Sequence, residues 1–510
     1  MGAVCRFRPA ASSSYRQPHE RPEWEFVVRS CYNCHPDRLA ADHAPEALMF
    51  DHRSVALLAI AWAFGAATPA AAQKPIATYV VLSGEGPVAR AVMPAGSCPQ
   101  ITVNGGPPQG MEVRAEPDKP DGPFPILVCE FLVMTGDRKQ ATSASIDGDP
   151  LPLPKDTLKS IAVFGDTGCR LKADKSEALA AHDPDEADEI EEEGKFQNCD
   201  YTTDRYPKYW PFKPMSKIIA DRAPDLVVHV GDYYYRESPC PSRDEGCAGS
   251  PYRDKWETWA ADFFTPAKPL LRKAPWIVVR GNHENCERGG LGYALLLDPS
   301  LAKGKRPTCV DPADRILDQY TVSVGGHDFI VLDSSNAADE CEEDECESKP
   351  YAEQFRAMQH PKAGTWLVTH KPIWGFTQSR KGKLKIRNMT LQAALKEWNG
   401  APPKGIDLVL SGHIHLWEAL SFSKKRPPQF PPQFVLGSGS TELARKITKN
   451  LDGRPIGGTT VRAATTDHRF GYTIFKPKSG GGWDATFYNH KGTKKIACEV
   501  DPTEVTCEKL

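Results

Sequence analysis

The chain has 510 residues, 40% of them hydrophobic and 25% charged, with a formal net charge of -3. That length accommodates two or more domains at about 150 residues each, and the composition is that of an ordinary soluble globular protein. A near-neutral charge gives no support to nucleic acid or an anionic membrane as a partner, because either would draw a basic surplus or a clustered basic face.

Residues 55–67 form the apolar run VALLAIAWAFGAA, with Arg53 just ahead of it and Ala70-Ala71-Ala72 behind. The run is shorter than the roughly 20 apolar residues of a spanning helix. It has the layout of a secretory signal cleaved after Ala72. A signal belongs at a protein's start, so translation is expected from Met49. Residues 1–48 are then upstream read-through or an extension, and residues 49–72 the signal peptide. The competing possibility is a buried apolar helix behind a genuine extension.

Three of the 15 cysteines precede that cleavage point. The twelve that follow are Cys98, Cys129, Cys169, Cys199, Cys240, Cys247, Cys286, Cys309, Cys341, Cys346, Cys498 and Cys507. An even number suits disulfides in an oxidising compartment. They fall into near neighbours, which makes sequential pairing from Cys98–Cys129 to Cys498–Cys507 the natural expectation, although sequence alone leaves connectivity open. Cys31-Tyr32-Asn33-Cys34 is the sole CxxC and has no second half for a zinc site. The mature protein is therefore expected outside the cytoplasm, periplasmic or extracellular.

Residues 73–154 carry short apolar runs (ATYVVL, ARAVM, QITV, MEVRA, FPILVCEFLVM, TSASI) separated by turn segments. That spacing predicts a small all-β domain, with Leu151-Pro-Leu-Pro154 as its linker. From residue 155 to 510 the pattern becomes α/β, with strands predicted at Ile161–Phe164, Leu226–Val230, Trp276–Arg280, Phe329–Leu332, Thr365–Thr369 and Leu408–Leu410. Gln433–Leu436, Tyr472–Phe475 and Ala485–Tyr488 add further strands. Residues 173–194 hold ten acidic side chains against one lysine, a density that predicts a solvated helix or loop rather than a calcium site. Residues 424–432 (KKRPPQFPP) read as a proline-stiffened surface loop.

Five segments follow five of those strands: Gly165-Asp-Thr-Gly168, Gly231-Asp-Tyr-Tyr-Tyr235, Gly281-Asn-His-Glu284, Thr369-His-Lys-Pro372 and Gly412-His-Ile-His415. Each places carboxylate, amide, imidazole or phenol groups, all hard or borderline metal donors, at a strand's C-terminal end. Open α/β sheets bind ligands in the crevice outside those ends, so the segments can converge. Singly, each is ordinary turn chemistry or a core histidine; five in order predict a metal site.

The series resembles the calcineurin-like metallophosphoesterase superfamily over about residues 161–439, and within it the purple acid phosphatases. The resemblance implies a layered αββα domain preceded by an all-β, β-sandwich-like domain. Many superfamily members carry a histidine two residues after the first aspartate, where this chain has Gly168. Tyr235, three residues after Asp232, supplies the purple acid phosphatase donor instead, with Tyr233 and Tyr234 as its alternatives. Carried over, Asp166, Tyr235 and His415 hold a first metal; Asn282, His370 and His413 hold a second; Asp232 bridges both. A phenolate suits Fe³⁺, and the second ion is divalent: Fe²⁺, Zn²⁺ or Mn²⁺. His283 is the candidate general acid, its other role being to orient Asn282 or a phosphate. Where the family commonly has one more histidine, the chain offers Arg380 and Lys381, as a phosphate clamp or a solvated basic loop.

Two such cations polarise a phosphoryl oxygen and acidify a bound water into hydroxide. The expected function is hydrolysis of small phosphate esters, monoesters ahead of diesters. A phosphodiesterase acting on nucleotides or lipid headgroups is the alternative enzyme, and a non-catalytic surface binding protein the alternative of another class. No second apolar run offers a membrane anchor, and oligomeric state is left open. The exported protein should begin at Gln73: intact-mass measurement of secreted material checks this, and a chain still carrying residues 1–48 refutes it.

Overall fold

Strand alternation decides which layer each side chain enters. In Ile161–Phe164, Ile161 and Val163 enter one core cluster while Ala162 and Phe164 enter another. In Thr365–Thr369, Trp366 and Val368 share the first of those clusters, but Leu367 enters a third. Strands apolar on both faces need cover on both sides. The result is two sheets packed face to face, with helices on each outer side.

The computed structural model describes residues 73–135, 139–173, 195–200, 209–341, 345–358, 360–424 and 430–510, of which 312 and 313 only in their backbone. All of these fall within one compact unit, Pro69–Leu510. The upstream segment, the signal segment, nearly all of the acidic stretch and the middle of residues 424–432 lie outside the described residues.

The first sheet has eleven strands. Its centre is parallel, Ile161–Phe164 beside Leu226–His229, then Trp276–Val278, then Ala77–Ser83. The C-terminal strands Gly471–Pro477, Trp483–Asn489, Lys494–Asp501 and Glu504–Lys509 extend one edge antiparallel. The second sheet has eight strands, its parallel centre formed by His327–Leu332, Thr365–Thr369, Ile406–Ser411 and Gln433–Leu436. The core between the sheets takes Val80, Val163 and Val228 from one, and Trp366, Leu410 and Phe434 from the other.

Helices Phe212–Asp221 and Thr265–Leu271 cover the first sheet's outer face. The former buries Phe212, Met215, Ser216 and Ile219, the spacing of one helical face. Lys349–Ala357 and Met389–Trp398 cover the second sheet. The layers are therefore α, β, β, α, as expected.

Residues 77–150 are all-β, as their turn spacing implies, but their main strands continue the first sheet rather than stand apart from it. Ala77–Ser83 is buried on both faces, so it takes an interior place, with Val81 opposite Trp276. Gly86–Met93, Leu127–Leu132 and Glu112–Ala115 follow outward. Leu151, in the expected linker, is itself part of the inter-sheet core. A buried ionic network completes the junction: Arg90 and Arg114 both pair with Glu130, at 3.3 and 2.8 Å. Arg114 also donates to the carbonyls of Ala294 and Leu295 at the end of helix Gly290–Leu296, where a cation meets the helix's negative pole.

The twelve cysteines pair sequentially, Cys98–Cys129, Cys169–Cys199, Cys240–Cys247, Cys286–Cys309, Cys341–Cys346 and Cys498–Cys507.

One buried group of the second sheet is poorly compensated. Glu418 is fully buried in strand Trp417–Phe422 and accepts a long bond from the Phe376 N–H, 3.4 Å, while its Oε1 has no partner. Burial pushes its pKa up to about 8 from 4.5. The folded state thus holds the proton that the unfolded chain releases, so stability falls as pH rises from about 4.5 through about 8. Glu418→Gln should match the parent near pH 4.5 and exceed it above pH 8, by on the order of 3–5 kcal/mol in denaturant unfolding.

Candidate metal centre

Six loops leave the parallel strands at their C-terminal ends, three from each sheet, and open into one crevice. The chain turns there within one residue. Asp166, Asp232 and His413 all adopt left-handed backbone conformations, with φ of 57°, 60° and 68°, which non-glycine residues hold only where the surroundings impose it. Backbone bonds fasten the first two loops together: Asp166 N–H donates to the Gly231 carbonyl and Thr167 N–H to that of Asp232, both 2.9 Å.

The structure brings all seven predicted donors together. Those of Asp232, His370 and His413 lie within 4.8 Å of one another, as do those of Asp166, Asp232 and His415, so Asp232 belongs to both groups. Each histidine commits its far nitrogen outside the cluster. His370 Nδ1 donates to the Val230 carbonyl at 2.8 Å, His415 Nδ1 to that of Glu442 at 2.7 Å, and His413 Nε2 meets the Asp339 carboxylate at 2.5 Å.

The near nitrogens then point lone pairs inward. What they face are also acceptors. His370 Nε2 is 2.9 Å from Asn282 Oδ1 and 3.2 Å from Asp232 Oδ2; His413 Nδ1 is 2.9 Å from the same Asn282 oxygen. His415 Nε2 lies 3.4 Å from Asp166 Oδ1 and 2.8 Å from the Tyr235 hydroxyl. Lone pairs facing one another need a proton or a metal ion between them, and this donor set fits two metal ions. Without a metal, a proton takes its place between His370 and Asp232. Burial alone would raise the Asp232 carboxyl, but His370 and His283 hold it well below the usual range. Burial would likewise lower His370, but Asp232 pulls it up to about 9.

Of the three consecutive tyrosines only Tyr235 reaches the cluster, 2.6 Å from Asp232 Oδ2 and 3.2 Å from Asp166 Oδ1. Tyr233 stacks on His229 at 4.0 Å, and Tyr234 on Trp259. Burial, Asp232 and Asp166 raise the Tyr235 pKa well above 10, so only a strongly acidic cation would take its phenolate. Gly168 is closed to any side chain: a Cβ there would stand 2.8 Å from the Tyr235 nitrogen and 2.9 Å from the Tyr233 carbonyl. The loop crossing that delivers Tyr235 excludes a histidine at 168.

His283 lines the cleft beside Asn282, its ring 3.7 Å from that of Tyr235 and its Nδ1 2.7 Å from Glu237. Burial and Arg288 push its pKa down to about 3. Arg380 and Lys381 do not line the cleft; they are exposed at the turn between strands Phe376–Gln378 and Leu384–Ile386. The cations on its wall are Arg170 and Arg387, with Thr377 and Asp339 beside them.

Sequence reasoning passed over these, and two buried carboxylates as well. Glu284 accepts from the backbone N–H groups of Asp232, Tyr233, Tyr234 and Gly281 at 2.9–3.1 Å, tying the second loop to the third. Burial and Asp232 press its pKa upward; four N–H groups that each need an acceptor oppose them. Asp262 accepts from Cys169 N–H, Tyr235 N–H and Arg236. A signal for Asp339 existed: it follows the predicted strand Phe329–Leu332, the one strand of the predicted α/β series before Gly412 to which no polar segment had been assigned.

With that geometry in place, the class is defined. The model of the calcineurin-like phosphoesterase family matches residues 159–416, just over half of the chain, and the protein belongs to that family. It is similar to purple acid phosphatase 22 of Arabidopsis thaliana, with 23% identity over 196 residues, 37% of this chain and 42% of that protein. The chain thus matches less than half the length of this curated relative. A purple acid phosphatase, PPD1, from yellow lupin (Lupinus luteus) seeds is a structural neighbour at TM-score 0.49 and 12% identity, covering 83% of this chain and 73% of that one.

Glu284→Gln keeps the shape but turns one acceptor oxygen into a donor facing N–H groups. It should cost about 3 kcal/mol in urea unfolding and lower the metal bound per chain, read by elemental analysis.

Proposed function

We propose that the protein is an exported two-metal hydrolase of phosphate esters, with monoesters preferred. The observation that carries this is the inward convergence of three imidazole lone pairs, two carboxylates, an amide oxygen and a phenol on two sites that share Asp232. Asp166, Tyr235 and His415 would hold one cation, Asn282, His370 and His413 the other, and Asp232 both. The phenol favours Fe³⁺ in the first site; the second takes a divalent ion. Bound there, the cations supply positive charge to polarise a phosphoryl group and acidity to a water.

The chain's own residues do the rest. Left-handed turns at Asp166, Asp232 and His413 keep the donors rigid. Carbonyls of Val230 and Glu442 and the Asp339 carboxylate fix the imidazole tautomers. His283, on the wall beside Asn282, is the candidate that hands a proton to the leaving oxygen. Its depressed pKa supports a second role, as a neutral imidazole that orients Asn282 or the phosphate. The six disulfides suit an oxidising compartment. Among the described residues no helix is long and apolar enough to cross a membrane.

Metal analysis combined with turnover of one monoester and one diester tests the function; metal-loaded protein that hydrolyses neither favours a binding role instead. A tyrosinate–Fe³⁺ pair should absorb visible light, and Tyr235→Phe should abolish that absorption. Colourless, active protein holding only zinc or manganese would exclude iron. His283→Ala should slow alkyl phosphates more than aryl phosphates if His283 protonates the leaving group, and both equally if it orients the phosphate.

A further inference from the structure

A second cavity lies beside the metal cleft, next to the loop that holds His415. Its volume is about 380 Å³, and its walls come from four parts of the chain: Leu416, Lys446 with Ile447, the turn from Thr466 to Arg469, and Lys509. Strand pairing brings these together. Trp417 stands opposite Asp467, which sets Leu416 beside the turn that follows Asp467. The Ser421 hydroxyl donates to the Val505 carbonyl and accepts from Val505 N–H, both at 2.8 Å. Those bonds fasten the last strand of the first sheet, which Lys509 ends, against the second sheet.

Leu416 and Ile447 are buried and give the cavity an apolar floor. Arg469 is joined to Asp467 by two bonds, Nε to Oδ1 at 2.7 Å and Nη2 to Oδ2, so that pair adds no net charge. His468 is neutral at pH 7: burial lowers its pKa below the ordinary 6.5, the Ala444 backbone bonded to its ring opposes this, and Lys446 lowers it further. Lys446 and Lys509 remain. Both are exposed, and among the described residues neither ammonium has a hydrogen bond or an ion pair. A single lysine on an open surface is ordinary. Here two, one from each sheet's side, face one concave site with apolar walls. About two positive charges are focused there with no carboxylate left to meet them.

We infer that this cavity is a second anion-binding site, which takes a phosphate group in addition to any bound at the metal centre. A phosphate group carries close to two charges above its second ionisation near pH 6, matching the two lysines, and presents three terminal oxygens. An ammonium offers three donors in no fixed plane, so a pair of lysines suits a tetrahedral oxyanion. Two sources share that chemistry: a second phosphate on the substrate's leaving group, and the free phosphate that hydrolysis releases. Position supports both. The Glu442 carbonyl holds His415 Nδ1, and Ala444 N–H donates to the His415 carbonyl at 3.1 Å. Ala444 lines the metal cleft and Lys446 lines the cavity. Two residues of chain span at most about 7 Å, so the two sites are neighbours. Both sources rest on the phosphoesterase function proposed above; the binding site itself does not.

The experiment titrates inorganic phosphate into the metal-loaded full protein by calorimetry, comparing the parent with K446Q/K509Q and K449Q, and measures metal per chain on the same samples. Lys449 is an exposed residue of the same loop that does not line the cavity. The parent should bind two phosphates per chain. K446Q/K509Q should keep its metal and weaken one phosphate by about 100-fold, about tenfold for each lysine, while K449Q stays within about twofold of the parent. Phosphate binding that K446Q/K509Q leaves unchanged, or that K449Q weakens as much, overturns the inference. The two sources are separated by kcat/KM for a sugar bisphosphate and for the monophosphate of the same sugar. A fall of about tenfold in that ratio in K446Q/K509Q assigns the cavity to the substrate's second phosphate. An unchanged ratio with one phosphate lost assigns it to free phosphate. Parent protein that hydrolyses neither ester refutes the phosphoesterase function, and the phosphate titration still decides the cavity.

Discussion

Asp232 is the residue on which the other contacts of the centre depend. It is wholly buried, and burying an isolated carboxylate costs several kcal/mol, so every group around it must repay that cost. Its N–H is taken by Glu284, its carbonyl by the Thr167 N–H, its Oδ1 by the His283 N–H, and its Oδ2 lies against Tyr235 and His370. Those contacts tie the three loops of the first sheet to one another and reach His370 on the second. Its left-handed φ of 60° follows from the same demand, since the carboxylate must turn back over the strand end.

The two-sheet architecture is what makes such a convergence affordable. Side chains of Val163, Val228, Trp366 and Leu410 pack between the sheets in one apolar core, leaving the strand ends to carry the polar loops. Those loops bury apolar side chains of their own, Tyr233, Trp374 and Ile414 among them, but their polar tips need further constraint. Cross-links meet that need: Cys169–Cys199, Cys240–Cys247, Cys286–Cys309 and Cys341–Cys346 all lie on loops that feed the cleft. Buried carboxylates complete the work, Glu284 and Asp262 each collecting N–H groups from neighbouring loops.

Around the donors a second tier of charge runs outward. Asp339 accepts from His413 and pairs with Arg387, so a residue that holds an imidazole also holds a cation facing the cleft. His413, Arg387 and Lys371 overcome the effect of burial and keep its carboxyl well below the usual range.

Local patterns were legible in the sequence wherever the cause is local. Apolar runs marked the parallel strands to within a residue or two, because a strand covered on both faces has no polar alternation to obscure it. Turn-plus-donor segments at the ends of those strands marked which loops face the crevice, and near-neighbour cysteines marked their own partners. What the sequence could not show are pairings whose members lie far apart in the chain. Arg387 was passed over for Arg380 and Lys381 because charge is visible in a sequence but burial is not. Glu284, Asp262 and Asp339 looked like ordinary acids until folding set backbone N–H groups and an imidazole against them. The N-terminal strands read as a module of their own; only the pairing of Val81 with Trp276, nearly two hundred residues on, makes them part of the sheet that carries the first three cleft loops. Composition and spacing determine which elements form and which carry donors; which donor faces which is decided by packing between the sheets, where contacts are set by distance in space.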